Sequence, residues 1–279
     1  MVTNFWHSPS SIFLCCVYIL ILFSVLFTPS NFLRIWILIE IRRLVFLCIM
    51  LRISSRSGYT SNILYFILQA CFGINIVIFY SVESFILVSS AFTTLFILTK
   101  LGAVPFNILY FYSLNFLDTT PLFLALSTQK VFPAILLISH YSNSLVGFVI
   151  LFIFLSRASI LFMSFNTNTL RRVLITSRLF NSSWLILTCL SGYSIFFAYF
   201  LVYTSCLFLI LFKNILTIPI MTLIGLPPFP LFFVKLTTVY FLLLTLSSTF
   251  FLSAVFFTLF LSSLAILSIY FNTITQISK

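Results

Sequence analysis

The sequence predicts an all-α polytopic membrane protein, and three observations carry that prediction. Hydrophobic residues make up 62% of the 279 residues and charged residues only 6%, far from the roughly 45–50% apolar and 25% charged make-up of a soluble domain. Too few charges remain to cover a soluble surface. Apolar runs recur near the length of about 20 residues that crosses a bilayer as a helix. They are longer than the roughly ten-residue alternating strands of a membrane barrel. Glycines and prolines also interrupt these runs close to lysines, most visibly at Gly225-Leu226-Pro227-Pro228-Phe229-Pro230, followed by Lys235. In hydrocarbon such irregular backbone is tolerated only inside protein or beside a water-filled cavity. A single transmembrane domain is expected over residues 1–279.

Taken in order, the first candidate span is Ile12–Phe27, ended by Thr28-Pro29-Ser30. No charged leader precedes it and no Arg-rich amphipathic face marks it, so a retained span is expected rather than a cleaved signal or transit peptide. The second span, about Phe32 to Met50, carries Glu40, Arg42 and Arg43, and Arg52 and Arg56 fall in the polar link before Gly58. The third covers about Ile63–Tyr80 and the fourth Ser84–Leu101, with Lys100 at its end. Gly102 and Pro105 then break the helix. Asn107–Leu117 reads either as a loop or as a short aromatic helix, closed by Asp118-Thr119-Thr120.

The next span, Pro121–Tyr141, is interrupted by Gln129-Lys130 and Pro133. Ser144–Ser164 follows, then a polar link from Asn166 to Arg172. Val173–Leu190 carries Arg178, Asn181, Ser182 and Ser183 and is too polar to face lipid all round. Tyr193–Phe212 spans again and ends at Lys213; Ile215–Tyr240 holds the Gly–Pro break; Phe241–Tyr270 is the last long run. The expected total is about ten spans. No soluble domain and no loop long enough for a nucleotide site intervenes.

Several kinds of chemistry are excluded by what is missing. Cys15, Cys16, Cys48, Cys71, Cys189 and Cys206 sit in apolar runs without a Cys-x-x-Cys pair and read as small buried hydrophobes. His7 and His140 are too far apart for a metal or haem spacing. No nucleophile–base arrangement or Gly-rich phosphate loop is present. The 38 phenylalanines supply packing bulk. The net charge of +11 comes from 14 basic and three acidic residues. Without an aromatic-interleaved basic loop it points to membrane topology and anionic lipid rather than nucleic acid.

With three acids in the chain, most basic residues have no carboxylate of their own to pair with. Glu40, near the middle of an apolar segment, is either helix glue or a proton or conformational switch. An i,i+3 contact with Arg43 would hold it ionised. Lys100, Lys130 and Lys235 each have a helix-disturbing Gly or Pro within ten positions. Either each lysine reaches an interface by its flexible stem, or it is enclosed near exposed backbone dipoles and water and can exchange a proton. Lys213 suits an interface, Glu83 a boundary, and Asp118 a helix cap. Arg171, Arg172 and Arg178 form a topology cluster, or the Asn166–Thr169 link beside them lies close to a proton route.

Five stretches together resemble the antiporter-like membrane subunits of respiratory complex I, the family of subunit 2 of mitochondrial NADH–ubiquinone oxidoreductase. They are Trp36-Ile37-Leu38-Ile39-Glu40, Lys100-Leu101-Gly102-Ala103-Val104-Pro105-Phe106, Gln129-Lys130-Val131-Phe132-Pro133, Leu170-Arg171-Arg172, and Gly225-Leu226-Pro227-Pro228-Phe229 with Lys235. The likeness covers residues of about 30–240 in matching order. It implies an antiporter-like fold with inverted repeats and discontinuous helices, here lacking some terminal helices. It implies a multi-pass place in the mitochondrial inner membrane, with neighbouring complex I subunits and lipids, cardiolipin among them, as partners.

By the same resemblance, Glu40 and Lys100 form the family's glutamate–lysine pair, Lys130 is the next lysine along a polar axis, and Lys235 the lysine after the central break. NADH, FMN, iron–sulfur clusters and ubiquinone are expected on other subunits, with no cofactor or metal in this chain. The sequence departs from the family at Asn107, where a histidine is usual; near Tyr112, where an acid is usual; at Arg42 and Arg43; and at Pro230-Leu231-Phe232-Phe233, where a glycine is usual. The expected function is redox-coupled proton translocation. A free-standing cation–proton antiporter, or a structural membrane-arm subunit without its own proton channel, are the alternatives.

Overall fold

The computed structural model describes residues 16–18, 20, 32–53, 59–81, 86–104, 106–117, 119–140, 145–164, 170–213, 219, 222–223, 225 and 229–245. The expected spans Ile12–Phe27 and Phe241–Tyr270 lie wholly or mostly outside these residues, as do Pro105, Glu83, Asp118, Pro227 and Pro228. Regular structure among the described residues is helical throughout. In chain order the helices are α1 (Phe32–Ile53), α2 (Tyr59–Ser81), α3 (Ile86–Leu101), α4 (Asn107–Asn115), α5 (Thr119–Leu126), α6 (Val131–His140), α7 (Val146–Ser164), α8 (Leu170–Ser191), α9 (Tyr193–Lys213) and α10 (Pro230–Thr245). A 3₁₀ turn, Thr128–Lys130, separates α5 from α6.

Three segments among the described residues are long and apolar enough to cross a membrane: Tyr59–Ser81, Thr119–Ser139 and Tyr193–Phe212. The outward residues suit that reading. Ile63, Ile67, Ile74 and Ile78 are exposed on α2, and Leu201 and Phe208 on α9, an apolar surface that water would disfavour and lipid would accept.

Several boundaries differ from the expected ones, each for a local reason. Of the two readings of Asn107–Leu117, the helix is the one formed, over Asn107–Asn115. Arg171 and Arg172 belong to the first turn of α8 rather than to the polar link. Lys130 lies in the 3₁₀ turn, which is where the long span is interrupted. Pro133 does not break it further, because it falls in the first turn of α6, where its missing N–H would have had no helical acceptor. α10 runs through Tyr240 and Phe241 without a break. It starts at Pro230, a position that suits the fixed φ of proline.

The chain forms two compact units, residues 1–97 with 112–139, and residues 98–111 with 140–279. In the first, α1 packs against α2 and α5. Its inner face is Phe32, Ile35, Ile39, Arg42, Phe46 and Ile49, spaced by three and four residues, the register of one helix stripe. Leu33, Ile37, Ile41 and Leu44 face outward. Phe32 stacks on Tyr80, and Trp36 Nε1 donates to the Gly73 carbonyl at 2.8 Å. In the second unit α8 is central and packs against α7, α9 and α10. Nearly every residue of α8 from Ile175 to Cys189 is buried, which explains why its serines turn back to carbonyls three residues earlier: Ser182 to Leu179 and Ser183 to Phe180.

Candidate functional site

The four sequence-predicted residues divide between the two units: Glu40 and Lys130 in the first, Lys100 and Lys235 in the second. All three lysines are buried in protein. A long stem reaching an interface therefore does not describe them.

Glu40 sits on α1 beside Arg43, and the two form an ion pair across one helical turn. Arg43 also donates to the Gln69 carbonyl at 2.9 Å and lies over the Phe66 ring. The sequence contact foreseen between Glu40 and Arg43 is thus present. Arg42 behaves differently because it occupies the inner stripe, three residues after Ile39 and four before Phe46. It is only 1% exposed. Its guanidinium lies over both Tyr18 and Phe132, with Cζ 4.5 and 4.2 Å from the ring centroids. It donates to Tyr18 Oη at 2.7 Å. Tyr18 Oη is also hydrogen-bonded to Thr128 Oγ1, so Arg42 is tied to the 3₁₀ turn that carries Lys130. Arg42 Nε and Nη1 have no partner among the described residues.

Lys100 lies in the last turn of α3. The Gly102 N–H donates to the Thr99 carbonyl and the Ala103 N–H to the Leu98 carbonyl, the paired bonds of a Schellman ending. Gly102 has φ of 92°, which a residue with a Cβ rarely adopts. The expected break is therefore a capped helix end. Tyr110 Oη donates to the Lys100 carbonyl at 3.4 Å, and Asn107 Nδ2 to Ser159 Oγ at 2.5 Å. These bonds tie α4 to the end of α3 and to α7.

Lys235 stands where the sequence placed it, against the Gly–Pro break. It takes an inner position of α10, four residues after Leu231 and three before Thr238, all buried. Its Nζ donates to the Leu223 carbonyl at 3.4 Å. Gly225 packs so closely that a Cβ there would lie 2.7 Å from Lys235 Nζ. The Gly225 φ is 79°, and its N–H donates to the Thr222 carbonyl. A peptide carbonyl thus faces the ammonium beside the turn at Gly225, and a Cβ at Gly225 would require the lysine side chain to shift.

Two residues of this site went unnoticed in the sequence. Lys235 Nζ lies 5.3 Å from the centre of the Trp184 ring, and Arg157 Cζ lies 5.1 Å from the same ring. Arg157 is fully buried at 0% exposure, within electrostatic reach of Lys235 and of Tyr199. Tyr199 Oη donates to Asn181 Oδ1 at 3.1 Å. Helical register was the available signal. Arg157 stands seven residues after Ile150 and three before Ile160, all on the inner face of α7. Two cations on one indole, beside broken backbone, can hold a permanent charge next to an exchangeable one, because arginine keeps its proton while lysine can give one up.

Among the described residues no group of His, Cys, Asp and Glu is arranged to hold a metal ion. No protein-family model matches the chain, and no curated protein sequence matches it.

Proposed function

We propose that this chain is a proton-translocating membrane-arm subunit of NADH–ubiquinone oxidoreductase in the mitochondrial inner membrane. Glu40, Lys100, Lys130 and Lys235 are its proton-transfer and coupling residues. Lys235 carries the reading: an exchangeable cation enclosed by protein, held against broken backbone by Gly225 and the Leu223 carbonyl. A buried ammonium is costly and is retained where it serves a pathway. On this reading, electrons pass from NADH to ubiquinone through FMN and iron–sulfur clusters on other subunits. This chain responds to the resulting change of charge or helix position. A movement that changes the field at a lysine by 1.4 kcal/mol alters its proton affinity by about a factor of ten. Low-dielectric surroundings make small movements sufficient.

The test is Lys130→Met and Lys235→Met in the assembled complex, with protons moved per NADH oxidised measured in sealed vesicles. Each substitution is expected to abolish or strongly reduce pumping while the complex still assembles. Normal pumping in both would overturn the proposal. One observation favours a second reading, a structural arm subunit that does not pump: Glu40 is engaged by Arg43 in an ion pair across one helical turn, the contact expected of helix glue. Unchanged proton stoichiometry after neutralising all four residues together would select that reading. A free-standing cation–proton antiporter would instead purify without redox subunits and exchange cations for protons in vesicles.

A further inference from the structure

Arg157 and Trp184 belong to no motif that suggested the proton-transfer residues, yet both lie at Lys235. The indole of Trp184 has Arg157 Cζ 5.1 Å and Lys235 Nζ 5.3 Å from its ring centre. Both distances are within the roughly 6 Å over which an aromatic face attracts a cation. Three different helices bring these groups together: α7 supplies Arg157, α8 Trp184 and α10 Lys235. All three side chains are buried, so the attraction is little weakened by water. The unit made of residues 98–111 and 140–279 contains none of the three acids of the chain.

Resting on the proton-translocation reading, we propose that Trp184 is a positioning residue whose ring holds Arg157 and Lys235 as a pair, so that the permanent charge of Arg157 acts on the exchangeable proton of Lys235. Arginine suits the first role because it does not deprotonate in proteins, and lysine the second because it does. The ring's negative face offsets part of the repulsion between two like charges that burial would otherwise make prohibitive. The Leu223 carbonyl, two residues before Gly225, accepts a hydrogen bond from Lys235 Nζ. When Lys235 gives up its proton, Arg157 keeps the site cationic. Lys235 is then a neutral amine beside that fixed charge, and its lone pair takes up the next proton.

The experiment compares protons moved per second, at fixed NADH supply, in vesicles carrying the assembled complex with Trp184→Phe, Trp184→Leu, Arg157→Lys, Arg157→Gln or Lys235→Met. Trp184→Leu removes the aromatic face and is expected to slow pumping about tenfold. Trp184→Phe, which keeps a face, restores the rate to within about threefold of wild type. Arg157→Gln slows pumping, and Arg157→Lys recovers most of it, because the requirement is for charge. Equal loss in Trp184→Phe and Trp184→Leu, or equal loss in Arg157→Lys and Arg157→Gln, would assign both residues to packing alone and overturn the inference. So would normal pumping in Trp184→Leu and Arg157→Gln. If Trp184→Leu does not assemble, the Arg157 pair decides the matter. Lys235→Met separates the two levels. Loss of pumping there with normal pumping in Arg157→Gln rejects only the pairing; normal pumping in Lys235→Met rejects the pairing, and together with normal pumping in Lys130→Met it rejects the proton-translocation reading as well.

Discussion

Gly225→Ala is a direct test of how the broken backbone holds Lys235. The added Cβ would sit 2.7 Å from Lys235 Nζ, 3.1 Å from its Cδ and 3.3 Å from its Cε. Two penalties follow. The backbone at φ of 79° must carry a side chain in the left-handed region, costing about 1–2 kcal/mol. The ammonium must also move off, losing its bond to the Leu223 carbonyl; a bond to a charged group is worth about 1.5–3 kcal/mol. At 3.4 Å that bond belongs at the weak end of the range. The expected loss of stability is therefore about 2–4 kcal/mol, with a parallel loss of pumping, since the displaced lysine leaves both the carbonyl and the Trp184 ring. The assay is a double-mutant cycle with Lys235→Ala, read by thermal inactivation of the membrane-embedded complex and by proton pumping. In the Lys235→Ala background, Gly225→Ala should retain only the backbone penalty, leaving a coupling of about 1–2 kcal/mol. An equal cost in both backgrounds would refute the close-packing argument, and no cost in either would refute the backbone argument as well.

The remaining predictions concern the first unit. Arg42→Met replaces a guanidinium, two of whose nitrogens have no partner among the described residues, by an apolar side chain in an inner position. Thermal stability of the complex is expected to stay level or rise, since buried charges are often dispensable when replaced by packed apolar groups. Tyr18→Phe removes the acceptor of the Arg42 Nη2 bond and should destabilise the complex by about 1.5–3 kcal/mol; in the Arg42→Met background only the smaller cost of the lost Thr128 bond, about 0.5–1.5 kcal/mol, should remain, and an undiminished cost would show that the Arg42 bond contributes nothing. Arg43→Met removes the ion pair with Glu40, through which any effect on pumping should pass. It is therefore expected to change the proton stoichiometry in the wild-type chain but not further in a Glu40→Gln chain, and an equal change in both would break the link between the pair and pumping.

Composition and run length alone determined that the chain is helical and apolar, because hydrocarbon forces backbone polar groups to be satisfied within each segment. The residue types at Gly102 and Gly225 also announced helix breaks next to lysines, since φ near 92° and 79° belongs to glycine. The Glu40–Arg43 pair was legible because an i,i+3 spacing on a helix needs no tertiary information. Other features were not. Whether a cation in an apolar run meets an interface or is enclosed by protein depends on which face of its helix packs inward, and on against what. Arg42 and Arg157 were decided by that register: each occupies an inner stripe, and one meets Tyr18 and Phe132 while the other meets Trp184. Local sequence determined that Lys235 follows a break. Only tertiary packing of α7, α8 and α10 decided that it shares an aromatic ring with Arg157, because residues 78 and 51 positions away from it in the chain become neighbours only once the helices are side by side.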